Sequence, residues 1–277
     1  MKHGKTFNIN TLTPSLRLAV ARCLWFAALA GLLSAWPAAG HAQPTKAIER
    51  VKPSIVAVGT LQRTRVPQYR FLGTGFAVAD GTLVATNAHV LNPTLDAGAD
   101  PEYLVVLIPG EASSGLRVRK TQRVATDTEH DVALLKIEGS PLPALDLRDS
   151  ATVAEGDSLL FTGFPIGGVL GMFPATHRAM VAAISPIAIP SATEQQLDSR
   201  SVRRLRGSVF PVFQLDATAF PGNSGSPLYD AADGKVVGVI NMVFVKGTKE
   251  SALSQPSGIT YAIPSRYLIE LLQKIKP

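Results

Sequence analysis

The chain has 277 residues, of which 46% are hydrophobic and 17% charged, with a formal net charge of +6. That apolar content supports a sizeable core and excludes a largely disordered polar chain. Four basic residues, Lys2, Lys5, Arg17 and Arg22, fall in the first 42 positions, which hold no acid; beyond them 23 basic residues face 21 acidic ones, a balance of +2 that gives no reason to expect nucleic acid as a partner.

Residues 1–42 read as an export signal. A basic leader to Arg22 precedes the apolar run CLWFAALAGLLSAW (23–36) and the small-residue stretch PAAGHAQ, with Gly40 and Ala42 placed for cleavage before Gln43. The run is shorter than the ~20 residues a helix needs to cross a bilayer. The expected location is therefore the bacterial periplasm or the exterior, the alternative being an inner-membrane anchor through 16–42. Cys23, the only cysteine, lies inside this segment, so the exported protein would rely on its core rather than on disulfides.

Downstream, short β-type runs alternate with turn signals. They are SIVAVGT (54–60), RFLGTGFAVA (70–79), TLVATN (82–87), YLVVLI (103–108), VALLKI (132–137), SLLFTG (158–163), VFPVFQL (209–215) and KVVGVINMVFV (235–245). Asp80-Gly81 and Asp233-Gly234 are hairpin turn pairs. Residues 141–157 have the composition of a connection between two halves, and the polar stretch 191–207 reads as a long loop. A terminal helix is expected over YLIELLQKI, capped by Ser265, with Leu268, Leu271, Leu272 and Ile275 on one face. The pattern is all-β, a sandwich or barrel, with a C-terminal helix.

Three short motifs carry chemistry. In PGNSGSP (221–227), glycines on either side of Ser224 permit a sharp turn that exposes the hydroxyl and lets the N–H groups of Gly222 and Ser224 converge on one point, as an oxyanion hole requires. A glycine-rich string alone also marks many ordinary turns. A serine needs a base, and TNAHV (86–90) presents His89 at a strand end. The base needs a carboxylate, and Asp131 opens the strand in HDVALLKI (130–137), with Asp127 and Glu129 the nearest other acids. His130 and His177 read as surface or core residues. No cluster has metal-ligand spacing, so neither a metal nor a cofactor is expected. Arg200, Arg203, Arg204 and Arg206 read as a solvated loop.

The order His, Asp, Ser differs from that of α/β-hydrolases and subtilisins. TNAHV, DVALLKI and PGNSGSPL resemble the three catalytic motifs of chymotrypsin-fold serine proteases, in particular the bacterial HtrA (Deg) branch. GTGFAV (73–78), LDLRDSATVAEGDSLLFTGFPIG (145–167), FQLDATAFPGNSGSPL (213–228) and ITYAIPSRYLIELL (259–272) extend the resemblance over nearly the whole chain after the leader. It implies two six-stranded antiparallel β-barrels, the first about 50–140 and the second about 152–264, followed by a helix over 265–275. His89 and Asp131 of the first barrel would meet Ser224 of the second. It implies a serine endopeptidase acting on proteins or peptides, with an S1 pocket lined by Thr218, Asn241, Met242 and Val243. None of these is charged, so a neutral P1 residue is expected.

The chain departs from the family in several places. It ends shortly after AIPS (262–265), so recruitment through a PDZ domain is not expected. Ser226 stands where the HtrA branch has glycine, in a form similar to that of glutamyl endopeptidases. Phe220 replaces the asparagine usual before PGNS. Asn223 is neutral where trypsin-type zymogens carry the aspartate that pairs with a new N-terminus, so Asn223 is expected to hold its loop by neutral hydrogen bonds. A catalytically silent binding module on the same fold, or an esterase, are the alternative readings.

If residues 1–42 are removed on export, N-terminal sequencing of protein recovered from the cell envelope should start at or near Gln43; an intact Met1 in the membrane fraction would mean an anchor instead.

Overall fold

The computed structural model describes residues 44–91, 95–110, 115–167, 171–188, 209–241 and 258–275. A short helix α1 (Pro44–Val51) leads into β1 (Ile55–Leu61), β2 (Tyr69–Val78), β3 (Leu83–Thr86), β4 (Tyr103–Pro109), β5 (Leu116–Asp127) and β6 (Val132–Ile137). These six strands close into an antiparallel barrel in the order β1-β2-β3-β6-β5-β4. The second barrel uses β7 (Ser158–Gly163), β8 (Ala175–Ala188), β9 (Val209–Asp216), β10 (Pro227–Asp230), β11 (Val236–Asn241) and β12 (Ile259–Pro264), and helix α2 (Ser265–Lys274) follows. Its order, β10-β11-β12-β9-β8-β7, repeats that of the first barrel.

Strand periodicity explains why the apolar runs are continuous rather than alternating. Side chains on successive strand residues point to opposite faces. In β6, Ala133, Leu135 and Ile137 fill the first barrel with Val56, Val58, Val84 and Val106. Val132 and Leu134 point the other way, into a second cluster that includes Leu160, Phe210, Val212, Tyr229, Val239 and Ile263 from the second barrel. The opposite faces of Phe161, Phe213, Leu228 and Ile240 fill the second barrel itself. Among the described residues there are therefore three apolar clusters, one inside each barrel and one between them, so both faces of the strands at the junction are buried.

The connection at 141–149 is pinned to both barrels. Leu145 N–H donates to Ala77 O at 2.9 Å, and Arg148 N–H donates to Val236 O at 2.8 Å. Both anticipated turns form: Gly81 (φ +81°) lies between β2 and β3, and Gly234 (φ +71°) between β10 and β11. Residues 191–207, and 242–245 of the run at 235–245, lie outside the described residues, as do 1–42.

Helix α2 is where expected but is not capped as expected. Ser265 is its first residue, and its hydroxyl donates to Arg148 O at 2.5 Å rather than to the helix's own N–H groups. The tie to the inter-barrel connection replaces the cap. Leu268 and Leu271 are buried, and Leu272 and Ile275 pack partly buried against the same cluster. Among the described residues, no helix is long and apolar enough to cross a membrane.

Tyr229 is fully buried at the junction, and its phenol meets the Thr162 hydroxyl at 2.7 Å. Burial pushes the phenol's pKa up. Tyr229→Phe should lower stability by about 1 kcal/mol, because Thr162 keeps Thr176 at 2.8 Å as a second partner; urea unfolding should show a lower midpoint with an unchanged slope.

Candidate active site

Asp131 sits in the turn between β5 and β6 with φ +54°, a left-handed conformation that costs a non-glycine residue energy unless its surroundings hold it. Several contacts do. Its carbonyl oxygen accepts from Ala88 N–H at 3.2 Å and from Asn87 Nδ2 at 3.0 Å. Its carboxylate accepts from His89 N–H at 2.8 Å through Oδ1. Through Oδ2 it meets His89 Nδ1 at 2.6 Å and accepts from Asn241 Nδ2, also at 2.6 Å. The buried carboxylate thus has its charge shared among three donor groups from two residues, one of them from the second barrel.

His89 occupies a single 3₁₀ turn (His89–Leu91) after β3, anchored by the buried Val90 and Leu91. Because Nδ1 faces Asp131, a neutral imidazole carries its proton there and leaves Nε2 free as an acceptor. The His89 side chain is 28% exposed while that of Asp131 is 8% exposed, so the ring faces solvent from a fixed base.

Ser224 reaches this region through its backbone. Its carbonyl oxygen accepts from Thr74 N–H of β2 at 2.8 Å, and the next residue, Gly225, donates to Ile240 O at 3.0 Å. A Cβ added at Gly73 would lie 2.9 Å from Val90 Cγ2 and 3.0 Å from Ser224 O. The turn bearing His89 and the loop bearing Ser224 therefore pack on the same glycine of β2. No described hydrogen bond joins the Ser224 hydroxyl to the His89 ring.

The loop 220–226 is held by three of its amides. Asn223 N–H donates to Phe220 O, Gly225 N–H to Ile240 O and Ser226 N–H to Asn223 O, whereas those of Gly222 and Ser224 meet no acceptor among the described residues. Gly222 (φ +103°) and Gly225 (φ +87°) supply conformations that L side chains rarely adopt. The Thr74 hydroxyl donates to Gly222 O at 2.7 Å and accepts from Phe164 N–H at 3.0 Å, tying the loop to both barrels. The neutral hydrogen bonds that Asn223 makes in this loop come from its backbone, while its buried side-chain Oδ1 and Nδ2 have no partner among the described residues.

Of the residues expected to line a substrate pocket, Thr218 is half-buried in a loop stapled by Thr260, whose hydroxyl donates to Ala217 O at 2.7 Å and accepts from Ala219 N–H at 3.1 Å. The Asn241 amide is instead committed to Asp131. Met242 and Val243 lie outside the described residues, as do Arg200, Arg203, Arg204 and Arg206. Asp127 does not compete for His89; it binds His130 Nδ1 at 2.7 Å. His177 stacks on Phe161 with ring centroids 4.8 Å apart, and burial holds its pKa below the usual range.

Sequence reasoning had not assigned Thr74, Asn87 or the carboxylate-directed role of Asn241. Each lies inside a quoted motif, yet only the fold shows which way its side chain points.

Two six-stranded barrels with a His–Asp pair at their junction define the chymotrypsin-like fold. The trypsin-like peptidase domain model matches residues 73–239, more than half of the chain, and the protein belongs to that family. It is 31% identical over 208 residues to a Halomonas elongata protein named "Probable periplasmic serine endoprotease DegP-like", covering 75% of this chain and 35% of that one. A Hahella chejuensis protein of the same name is 26% identical over 219 residues, covering 79% and 38%. The chain thus spans little more than a third of the length of these curated relatives. Among solved structures, the HtrA-type protease AlgW with a decapeptide superposes at a TM-score of 0.59 with 26% identity, covering 84% of this chain and 67% of that one. AlgW with a tripeptide gives 0.58 and 27%, covering 84% and 63%.

The loop's dependence on Gly225 can be measured against a control. A Cβ at Gly225 would lie 2.0 Å from Thr74 O, whereas at Gly156, with a similar φ of +92°, it would meet nothing within 4 Å. Gly156→Ala should cost about 1 kcal/mol of backbone strain. Gly225→Ala should cost clearly more and displace the loop, as a larger fall in melting temperature and a loss of activity per folded molecule.

Proposed function

We propose that this protein is an exported serine endopeptidase that cleaves proteins or peptides through Ser224, His89 and Asp131. The observation that carries the reading is the Asp131 carboxylate, which binds His89 Nδ1 and N–H on one side and Asn241 on the other. A carboxylate so placed fixes the tautomer that leaves Nε2 unprotonated and stabilises the imidazolium formed when that nitrogen takes a proton.

In the proposed cycle, Ser224 Oγ attacks the carbonyl carbon of the scissile bond as His89 Nε2 takes its proton. The oxyanion is held by the Gly222 and Ser224 N–H groups, which no carbonyl among the described residues occupies. His89 then protonates the leaving amine, and the acyl-enzyme forms. A water, deprotonated by the same imidazole, releases the acid product and restores Ser224. Neither a metal nor a cofactor takes part.

The relatives' names support the same reading: the curated ones are named periplasmic endoproteases, and the AlgW structures hold peptides. On that basis we assign a periplasmic location and peptide-bond substrates. The uncharged Thr218 loop favours a neutral P1 residue.

Active-site labelling by a fluorophosphonate separates an enzyme from a silent binding module on this fold. The wild type should label and Ser224→Ala should not, with proteolysis falling by about 10⁶-fold and the fold retained. Asp131→Asn should lower turnover by ~10⁴ at neutral pH. Proteolysis by the Ser224→Ala variant above about a hundredth of the wild-type rate would remove Ser224 as the nucleophile.

A further inference from the structure

The turn that delivers Asp131 has a second histidine–carboxylate pair built into it. Asp127 Oδ1 accepts from the N–H groups of Glu129 at 3.0 Å and His130 at 3.1 Å, while its Oδ2 meets His130 Nδ1 at 2.7 Å. One carboxylate therefore clasps both the backbone of the turn and the imidazole at its end. The His130 ring stacks on Tyr267 of α2, with centroids 3.8 Å apart and planes 12° apart, and meets Phe210 of β9 edge-on at 4.7 Å. Phe210 and Tyr267 also pack edge-on to each other at 5.3 Å. The residue immediately before Asp131 is thus gripped by its own turn and by two rings of the second barrel and its helix.

Nothing in the proposed chemistry uses this pair, and His130 touches no reacting atom. Its consequence is mechanical. Asp131 holds a left-handed φ of +54°, and its carboxylate must meet His89 and Asn241 together. Of the peptide planes flanking it, the one leading in belongs to His130. We propose that His130, clasped by Asp127 and stacked on Tyr267, is a positioning residue for Asp131. Helix α2 thereby becomes part of the support of the catalytic carboxylate. This inference rests on the reading of Asp131 as the partner of His89 and Ser224 as the nucleophile.

The charged groups about His130 are Asp127 and Glu129 on the turn and Arg266 and Glu270 on α2, with the Arg266 guanidinium 5.5 Å from the Tyr267 ring centre. For Asp127 burial is the largest influence and works upward. The hydrogen bonds from the His130 ring and N–H outweigh it, and with the charge of His130 they hold the carboxyl below its ordinary value. The His130 ring faces that carboxylate through Nδ1, so one group holds both the ring and the turn.

The test is the second-order rate at which a fluorophosphonate labels Ser224, measured across pH with folded protein quantified for each variant. His130→Ala should label about tenfold more slowly, since small misplacements of a catalytic group cost one to two orders of magnitude. Its acid limb should move to lower pH, because a loosely held carboxylate stabilises the His89 imidazolium less. Tyr267→Phe, which keeps the stacked ring, should label at the wild-type rate. Asp127→Asn, which keeps the turn's size but weakens the clasp, should shift the limb the same way and serves if His130→Ala does not fold. In an Asp131→Asn background, His130→Ala should cause no further loss. A lower melting temperature with an unchanged limb and rate per folded molecule would overturn the proposal, as would an equal loss in the Asp131→Asn background; a wild-type rate for Asp131→Asn alone would instead overturn the triad reading beneath it.

Discussion

A carboxylate buried between two barrels has to be satisfied from both, and that requirement organises this molecule. An ionised group removed from water costs several kcal/mol unless it is paired and hydrogen-bonded. Asp131 meets the condition with His89 from its own barrel and Asn241 from the other. Hydrogen bonds to a charged group contribute about 1.5–3 kcal/mol each, comparable to a large fraction of a domain's net stability. The same bonds that neutralise the burial cost also orient the imidazole, so stability and the proposed chemistry depend on one geometry. The apolar cluster between the barrels takes Val132, the residue after Asp131, and Leu134 from β6.

The barrels make that meeting possible by giving β2 two uses. Inside its own barrel it pairs with β1 and β3. Toward the second barrel, Gly73 leaves room for both Val90 and Ser224, and Thr74 bonds to Ser224, Gly222 and Phe164 through N–H and hydroxyl. A side chain at either glycine, 73 or 225, would occupy the space through which the loop approaches. Small residues on one side and a hydroxyl with two partners on the other thus set where the Ser224 loop can sit.

Much of this was legible in the residues. VALL (132–135) and LLF (159–161) are apolar on both faces because both faces are buried, and Asp80-Gly81 and Asp233-Gly234 mark hairpins through positive φ at their glycines. The motif resemblance named the two-barrel fold. What escaped has physical causes. Strand β5, LRVRKTQRVATD, carries four basic residues and buries only Thr121, so it lacks a hydrophobic period. Strand β8 contains Pro186, which pairs opposite Pro211 of β9 in a ladder where prolines are ordinarily excluded. Asn241 and His130 are polar residues whose partners are remote in sequence, or whose ring partners sit on an element far downstream. Ser265 looked like a helix cap, yet the connection between the barrels offered Arg148 O as a competing acceptor.

The central claim, that Asp131 holds His89 by its Nδ1 proton at the barrel junction, has a direct spectroscopic test. Proton NMR of the protein should show an imidazole N–H resonance far downfield of the backbone amides. A proton held between a buried carboxylate and a ring nitrogen at 2.6 Å is strongly deshielded and protected from exchange with solvent. The resonance should vanish in both His89→Ala and Asp131→Asn and persist in His130→Ala, which removes the other histidine–carboxylate pair of the turn. The pair His130–Asp127, at 2.7 Å, can give a second downfield signal that survives Asp131→Asn; a spectrum with no downfield signal that is lost in Asp131→Asn and kept in His130→Ala would contradict the assignment.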